Sequence, residues 1–251
     1  MEIPRPPQAV TFDCWSTLIT DISWDETMAV RRKALIEIAA AQGLDLDEER
    51  AVELIEGSWQ EHIDNWRKGV VFGPSGAARW VLEQLDFFGG SPEGIDHLAE
   101  SFAAALEDAT AEVGTQLVEG AVEAVQAVRA AGIPTALICD TGFTPAKHIR
   151  VFLEDHGFEL DHYFFSDEVG SPKPYRPIFA AALKATGADP SRSVHIGDLR
   201  RTDVAGARAA GMATIRFTGV HSDGWQTEES VGDEADAVLN HWSELRKLLG
   251  F

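Results

Sequence analysis

Four aspartates and one lysine stand where chemistry is easiest to build. Asp13 follows the apolar run Ala9-Val10-Thr11-Phe12, Asp140 follows Thr135-Ala136-Leu137-Ile138-Cys139, and Asp198 follows Val194-His195-Ile196-Gly197. Asp203 lies a short turn past Asp198, and Lys173 sits in the loop Gly170-Ser171-Pro172-Lys173-Pro174. Carboxylates are hard oxygen donors, so Asp13 and Asp198 together suit a divalent cation such as Mg²⁺. A carboxylate is also a nucleophile, a role open to Asp13. The ammonium of Lys173 suits neutralisation of an anion or of that nucleophile. Each residue alone has an ordinary reading: an aspartate at a strand end caps the next helix, and a lysine in a proline-rich loop is solvated. Their shared placement carries the weight, because ligands of open parallel sheets bind outside the carboxyl ends of the strands.

Those ends belong to a strand–helix alternation. Short β-prone apolar runs predict strands at 9–12, 135–139, 163–165, 194–196, 213–217 and 237–239. Helices are expected at 120–131, 145–156, 177–186 and 203–210, with Val122, Val125 and Val128 on one face of the first. Such alternation implies an α/β fold with a doubly wound parallel sheet. One block breaks it. Ser23 and Glu26 form a capping box for a helix to about 41, which Gly43 ends. Val52, Ile55, Trp59, Ile63 and Trp66 then recur at helical spacing, and two more helices are expected at 74–88 and 92–113, parted by Gly89-Gly90. The expected domains are therefore a core of 1–20 and 115–251 and an all-helical insertion of 21–114.

Composition narrows the partners. The chain has 251 residues, enough for a substantial core without staples, and Lys plus Arg number 21 against 41 Asp plus Glu, a net charge of −20. That balance lacks the basic footprint of a nucleic-acid binder and disfavours an anionic membrane surface. An anionic substrate would need local cations or a metal. Cys14 and Cys139, the two cysteines, make no disulfide framework, in keeping with a reducing cytoplasm. The stretch Met1-Glu2-Ile3-Pro4-Arg5-Pro6-Pro7 lacks the apolar run of a signal peptide, and no run approaches the ~20 residues of a membrane span. A cytoplasmic protein acting on a small, anionic molecule is expected.

The order of the motifs resembles the haloacid dehalogenase superfamily of hydrolases, in the branch with a helical cap after the first motif. Asp13-Cys14-Trp15-Ser16-Thr17-Leu18 matches the first motif, Asp-x-Asp-x-Thr, and Gly170-Ser171-Pro172-Lys173-Pro174 the third, Gly-x-x-Lys-Pro. Gly197-Asp198-Leu199-Arg200-Arg201-Thr202-Asp203 matches the fourth, with Gly206-Ala207 and Gly211 trailing. The second motif, a Ser or Thr ending a strand, falls in Cys139-Asp140-Thr141-Gly142. The resemblance implies that Asp13 forms a covalent aspartyl intermediate and that Mg²⁺ is held by Asp13, the carbonyl of Trp15 and Asp198. It further implies that Lys173 holds the nucleophile and the transferring group, and that Asp203 supports the site from behind.

Two positions depart from the pattern. The family's phosphatases carry a proton-donating Asp where this chain has Trp15. General acid catalysis is worth roughly 10²–10⁴-fold, so leaving groups needing no proton are favoured: halide, acyl or aryl phosphate, phosphoanhydride or a stabilised carbanion. Dehalogenases of the family carry an aromatic residue there but usually lack the fourth-motif pair of aspartates. In the second motif Cys139 takes the Ser/Thr slot, and either Thr141, with the amides of Asp140 and Thr141, or the weaker Cys139 thiol serves the substrate oxygens; Thr141 is the expectation. Trp15, Cys139, Asp140 and Gly142 are thus candidate substrate contacts. His195 is expected to be a core residue of its strand and Cys14 a buried filler. His148 is expected on the surface, and at least one of Arg200 and Arg201 in an ion pair. The aromatic residues Trp24, Trp59, Trp66, Trp80, Phe72, Phe87 and Phe88 are expected mainly to form the core of the insertion. Three classes stay open: a Mg²⁺-dependent phosphohydrolase, a metal-free carbon–halogen hydrolase, and a catalytically weak binding protein on the same fold.

Overall fold

Six short apolar runs of the computed structural model pair side by side into one sheet. The structure describes residues 1–85, 92–221 and 232–251, with the backbone alone for 92–95. The strands are β1 (Ala9–Phe12), β4 (Thr135–Cys139), β5 (His162–Phe165), β6 (Ser193–Gly197), β7 (Ala213–Phe217) and β8 (Ala237–Leu239), in the order β5-β4-β1-β6-β7-β8. Every pair is parallel. β1, β4, β6 and β7 are buried along their whole length, which is why they read as short, mostly apolar runs rather than as strict alternation. Two three-residue strands, β2 (Ile19–Asp21) and β3 (Thr115–Leu117), pair with each other; they are too short to leave a period in the sequence.

The contact pattern divides the chain into two units. The sheet unit comprises Met1–Thr20, Gln116–Asp140 and Arg150–Phe251, and the helical unit Asp21–Thr115 and Thr141–Ile149. The segment 141–149, expected with the core, thus groups with the helices. Its Phe143 is 2% exposed and belongs to their apolar cluster with Met28, Leu54, Val81, Phe102 and Leu106.

The helical unit carries α1 (Trp24–Ala41), α2 (Glu48–Arg67), α3 (Gly73–Gln84) and α4 (Pro92–Val113). The Ser23 side chain accepts the Glu26 N–H at 3.2 Å, as the capping box requires, and Asp47 does the same for Arg50 at 2.8 Å. Past α1, Gly43 takes the left-handed conformation and the Leu44 N–H returns to the Ala39 carbonyl at 3.0 Å. Phe87, Phe88 and the Gly89-Gly90 break lie outside the described residues. In the sheet unit the connections run through α5 (Ala121–Ala130), the end of α6 (Ala146–Asp155), the single turn α7 (Ser166–Val169), α8 (Arg176–Thr186), α9 (Ala205–Ala209) and α10 (Leu245–Leu249). The helix expected at 203–210 starts earlier and differently: Arg200–Val204 form a π turn that passes into α9. No helix among the described residues is long and apolar enough to cross a membrane.

Candidate active site

The sheet order sets the site. β1 lies between β4 and β6, with Phe12 opposite Leu137 on one side and Ile196 on the other. The residues just past those positions, Asp13, Cys139-Asp140 and Asp198, therefore leave the sheet together at its carboxyl edge. Asp13 continues the ladder for one step, its N–H donating to the Ile196 carbonyl at 2.8 Å. The chain then turns sharply: the Cys14 carbonyl accepts the N–H groups of Leu18 at 2.8 Å and Ile19 at 3.1 Å. Ser16 sits in the left-handed region at φ 57°, and Trp15 is half-buried. The turn brings the Thr17 hydroxyl back to donate to Asp13 Oδ2 at 2.9 Å.

Lys173 reaches the same carboxylate from the far loop. Against the solvated reading of such a lysine, it is 2% exposed. Its Nζ donates to Asp13 Oδ1 and, at 2.7 Å, to Asp203 Oδ1. Its backbone N–H donates to Asp140 Oδ1 at 2.9 Å, so the Asp140 side chain ties the lysine loop to the end of β4. Two glycines make the approach possible. A Cβ at Gly197 would lie 2.6 Å from Asp203 Oδ1, and one at Gly206 would lie 2.9 Å from the Cα of Pro174, next to Lys173. The glycines of the fourth motif are thus spaces for Asp203 and for the lysine loop.

Asp203, 1% exposed, is held on both oxygens. Oδ1 also faces His195 Nε2 at 3.0 Å, while Oδ2 accepts the Leu199 N–H at 3.2 Å and the Thr202 hydroxyl at 3.0 Å. One carboxylate oxygen from each of Asp13, Asp198 and Asp203 lies within 4.8 Å of the other two. Three carboxylates face one lysine in a buried setting, and the imbalance shows in their acidities. Burial, with the charges of Asp13 and Asp203, lifts Asp198 well above the usual carboxylate range. Burial pushes Asp13 up to about 6 against the pull of Lys173. For Asp203 burial is outweighed by Lys173 and His195, and its acidity is strengthened. Lys173, despite burial, is raised well above its ordinary value by Asp13, Asp203 and Asp140. An all-oxygen donor set short of positive charge fits a hard divalent cation.

Of the residues singled out from the sequence, the sheet unit brings Asp13, Asp140, Lys173, Asp198 and Asp203 together. Cys139 is fully buried; its thiol donates to the Asp140 carbonyl at 3.4 Å and also meets Cys14. Thr141 and Gly142 belong to the helical unit, where Gly142 lies beside Trp59. That unit buries a second cluster. Arg31, 2% exposed, sits over the rings of Trp24 at 5.7 Å and Phe143 at 5.1 Å, and Trp59 stacks on His62 at 5.0 Å. Trp24 itself remains 40% exposed. His148 lies 3.8 Å from the carboxylates of Glu107 and Asp108, and Arg200 pairs with Glu234 at 2.7 Å.

Sequence reasoning missed three roles. Thr17 carries a signal, its fixed place in the first motif, but its bond to Asp13 needs the turn at Cys14. The Asp140 carboxylate and His195 carry none, since Asp140 meets a loop 33 residues away and His195 meets Asp203 only through the fold of the turn that follows β6.

Comparison with known proteins agrees with the fold and the family resemblance. The profile of the haloacid dehalogenase-like hydrolases matches residues 7–211. The ribulose-1,5-bisphosphate 5-phosphatase of Halopiger xanaduensis is 27% identical over 96% of this chain and 98% of its own. Among solved structures, a 2-haloacid dehalogenase from Pseudomonas syringae pv. Tomato superposes with a TM-score of 0.69 at 25% identity, covering 97% of this chain and 98% of that one. The magnesium-bound HAD-hydrolase YfnB of Bacillus subtilis superposes with a TM-score of 0.61 at 16% identity, covering 98% and 100%. The parallel sheet, the ordered motifs and the profile match place this chain in one family: it is a haloacid dehalogenase-like hydrolase.

Proposed function

We propose that the protein is a Mg²⁺-dependent phosphohydrolase that uses Asp13 as nucleophile on a small phosphorylated metabolite with a good leaving group. The observation that carries this reading is the buried Asp13 carboxylate, held by Lys173 and Thr17 beside two further carboxylates. A metal-free dehalogenase has no use for that surplus of negative charge. The phosphatase name of the full-length relative points the same way. Asp13, the carbonyl of Trp15 and Asp198 would hold Mg²⁺, with Asp203 behind them. When bound, Mg²⁺ neutralises charge on the transferring phosphoryl group.

The chain's own groups do the rest. Lys173 and Thr17 each bond one oxygen of Asp13 and fix its direction of attack. An Asp13 oxygen bonds to phosphorus as the bond to the leaving oxygen breaks, and that oxygen departs with the electron pair. Lys173 stabilises the equatorial charge. Water then attacks phosphorus as its bond to the Asp13 oxygen breaks; the water's protons leave with the phosphate, and Asp13 returns as the carboxylate. Trp15 offers no proton to the leaving oxygen, so the leaving group must be stable as an anion. The backbone amide of Asp140 is assigned to the phosphoryl oxygens.

A second reading, a carbon–halogen hydrolase, is favoured by one observation: an aromatic residue, Trp15, in place of the acid. A panel of aryl, acyl and alkyl phosphates and of 2-haloacids, assayed with and without Mg²⁺, separates the two. Turnover of aryl or acyl phosphates that EDTA abolishes is expected, with mass spectrometry locating the adduct on Asp13. Haloacid turnover indifferent to EDTA, with no phosphate turnover, would overthrow the proposal.

A further inference from the structure

His195 lies within β6 and is 1% exposed, its ring edge-to-face with Phe179 at 5.3 Å. A buried imidazole is costly unless both nitrogens find partners. Both do: Nδ1 lies 2.8 Å from the Thr11 hydroxyl and Nε2 lies 3.0 Å from Asp203 Oδ1. A carboxylate only accepts, so the proton of this bond sits on Nε2. The same Asp203 oxygen accepts from Lys173 Nζ at 2.7 Å, and Lys173 also grips Asp13. The expected role of His195 as a plain strand residue is therefore incomplete, since a filler needs no donor facing Asp203.

We infer that His195 is a positioning residue for the nucleophile, acting through Asp203 and Lys173. The inference rests on the phosphohydrolase reading. Thr11 on β1 anchors the ring, and the ring locks Oδ1 of Asp203. The Leu199 N–H and the Thr202 hydroxyl lock Oδ2. The carboxylate so fixed presents one direction to Lys173, whose ammonium bridges it to Asp13. Without the Nε2 donor, Oδ1 keeps Lys173 as its remaining side-chain partner, and the pair can swing together away from Asp13. The loss falls on the chemical step and not on substrate binding.

The test compares His195→Phe, which keeps an aromatic ring against Phe179, with His195→Gln, which keeps an N–H donor. With p-nitrophenyl phosphate as probe, His195→Phe should lower kcat about tenfold, the low end of the roughly 10–100-fold cost of losing such a supporting partner. KM and the Mg²⁺ concentration for half activity should stay within about twofold of wild type. His195→Gln should recover most of kcat, and His195→Phe should cost little further once Asp203→Asn is present, because coupled residues are not additive. Equal losses in Phe and Gln variants, or the same factor lost in the Asp203→Asn background, would overturn the inference. A second readout does not depend on turnover. The Nε2–H proton of His195 should appear as a slowly exchanging, downfield resonance that moves in Asp203→Asn. If wild type hydrolyses no phosphate, the functional reading fails and this resonance alone decides on His195. If the enzyme is active but the resonance is absent or unmoved, the inference on His195 fails by itself.

Discussion

On the proposed phosphohydrolase reading, Trp15 limits which leaving groups the site can expel. The electrostatics around Asp13 are complete once a cation joins Lys173, yet an indole cannot protonate an alkoxide. The rate should therefore depend steeply on leaving-group acidity, with aryl and acyl phosphates turned over well and alkyl phosphates poorly. Trp15→Asp should raise the rate on alkyl esters selectively, by up to roughly 10²–10⁴-fold, and leave aryl esters nearly unchanged. The two rates are compared as a ratio within one folded preparation, since losing a large half-buried ring also costs stability. Similar wild-type rates on alkyl and aryl phosphates, with chemistry limiting, would mean that another group is the acid. The neighbouring thiols should be silent by contrast. Cys139 is held protonated by burial and by the adjoining Cys14 thiol, and neither cysteine is exposed; the thiolate is the reactive form. Ellman's reagent should label neither in the native protein and both after unfolding. At this scale the residue types at the strand ends were legible in the sequence, whereas the bonds among them were not. Lys173 was legible as the cation for the nucleophile, but not the bond from its backbone N–H to the Asp140 carboxylate that ties its loop to the end of β4.

Elements obey the same division between period and contact. The six strands of the sheet follow from short apolar or aromatic runs, each found within about a residue of its expected bounds; the four central ones are buried on both faces. The strands β2 and β3 escaped because each is three residues long and pairs with a segment far away in sequence, and the π turn at Arg200–Val204 because its local hydrogen bonds leave no hydrophobic period. The helical unit offers an element-scale test in α2. Burial, reinforced by the nearby Arg31 charge, lowers the His62 pKa from 6.5 to about 4, and its Nδ1 is buried without a partner. The unfolded chain binds this proton near pH 6.5 and the folded chain only near pH 4. Where the unfolded state holds more protons, stability rises with pH. The contribution of His62 is thus complete above pH 6.5 and is lost as the pH falls toward 4. Urea midpoints at pH 7 and pH 4.5 should fall further for wild type than for His62→Phe. Asp13 and Asp198, with raised pKa values, act in the opposite sense, but they are common to both proteins and cancel in the comparison. An equal fall in the two proteins would mean that His62 is already protonated in the fold.

For the whole molecule, composition announces a net charge of −20, and the fold concentrates part of that repulsion at one point. The contacts group 141–149 with the helices, which the helical block of the sequence does not announce. That grouping follows from Phe143 entering their apolar cluster, a contact between segments far apart in sequence. The charge makes a prediction for metal binding. Salt screens repulsion among exposed charges over a Debye length of about 10 Å at 0.1 M, so NaCl should raise the thermal midpoint modestly and without saturation at any one site. Mg²⁺ should do this and something further. If it bridges Asp13 and Asp198, it binds the folded chain alone, and at a hundred times its Kd it adds about 2.7 kcal/mol. At matched ionic strength Mg²⁺ should therefore stabilise wild type well beyond NaCl, with a saturating dependence. Asp198→Ala should abolish the excess and keep the screening part, whereas Asp203→Ala, acting through its neighbours, should weaken affinity by roughly 10–100-fold and leave saturation reachable. Asp198→Ala without Mg²⁺ should be no less stable than wild type, because the variant sheds a buried carboxylate whose neighbours already push it toward the neutral form. Equal stabilisation of wild type and Asp198→Ala by Mg²⁺ would assign the whole effect to the acidic surface and remove the metal from this site.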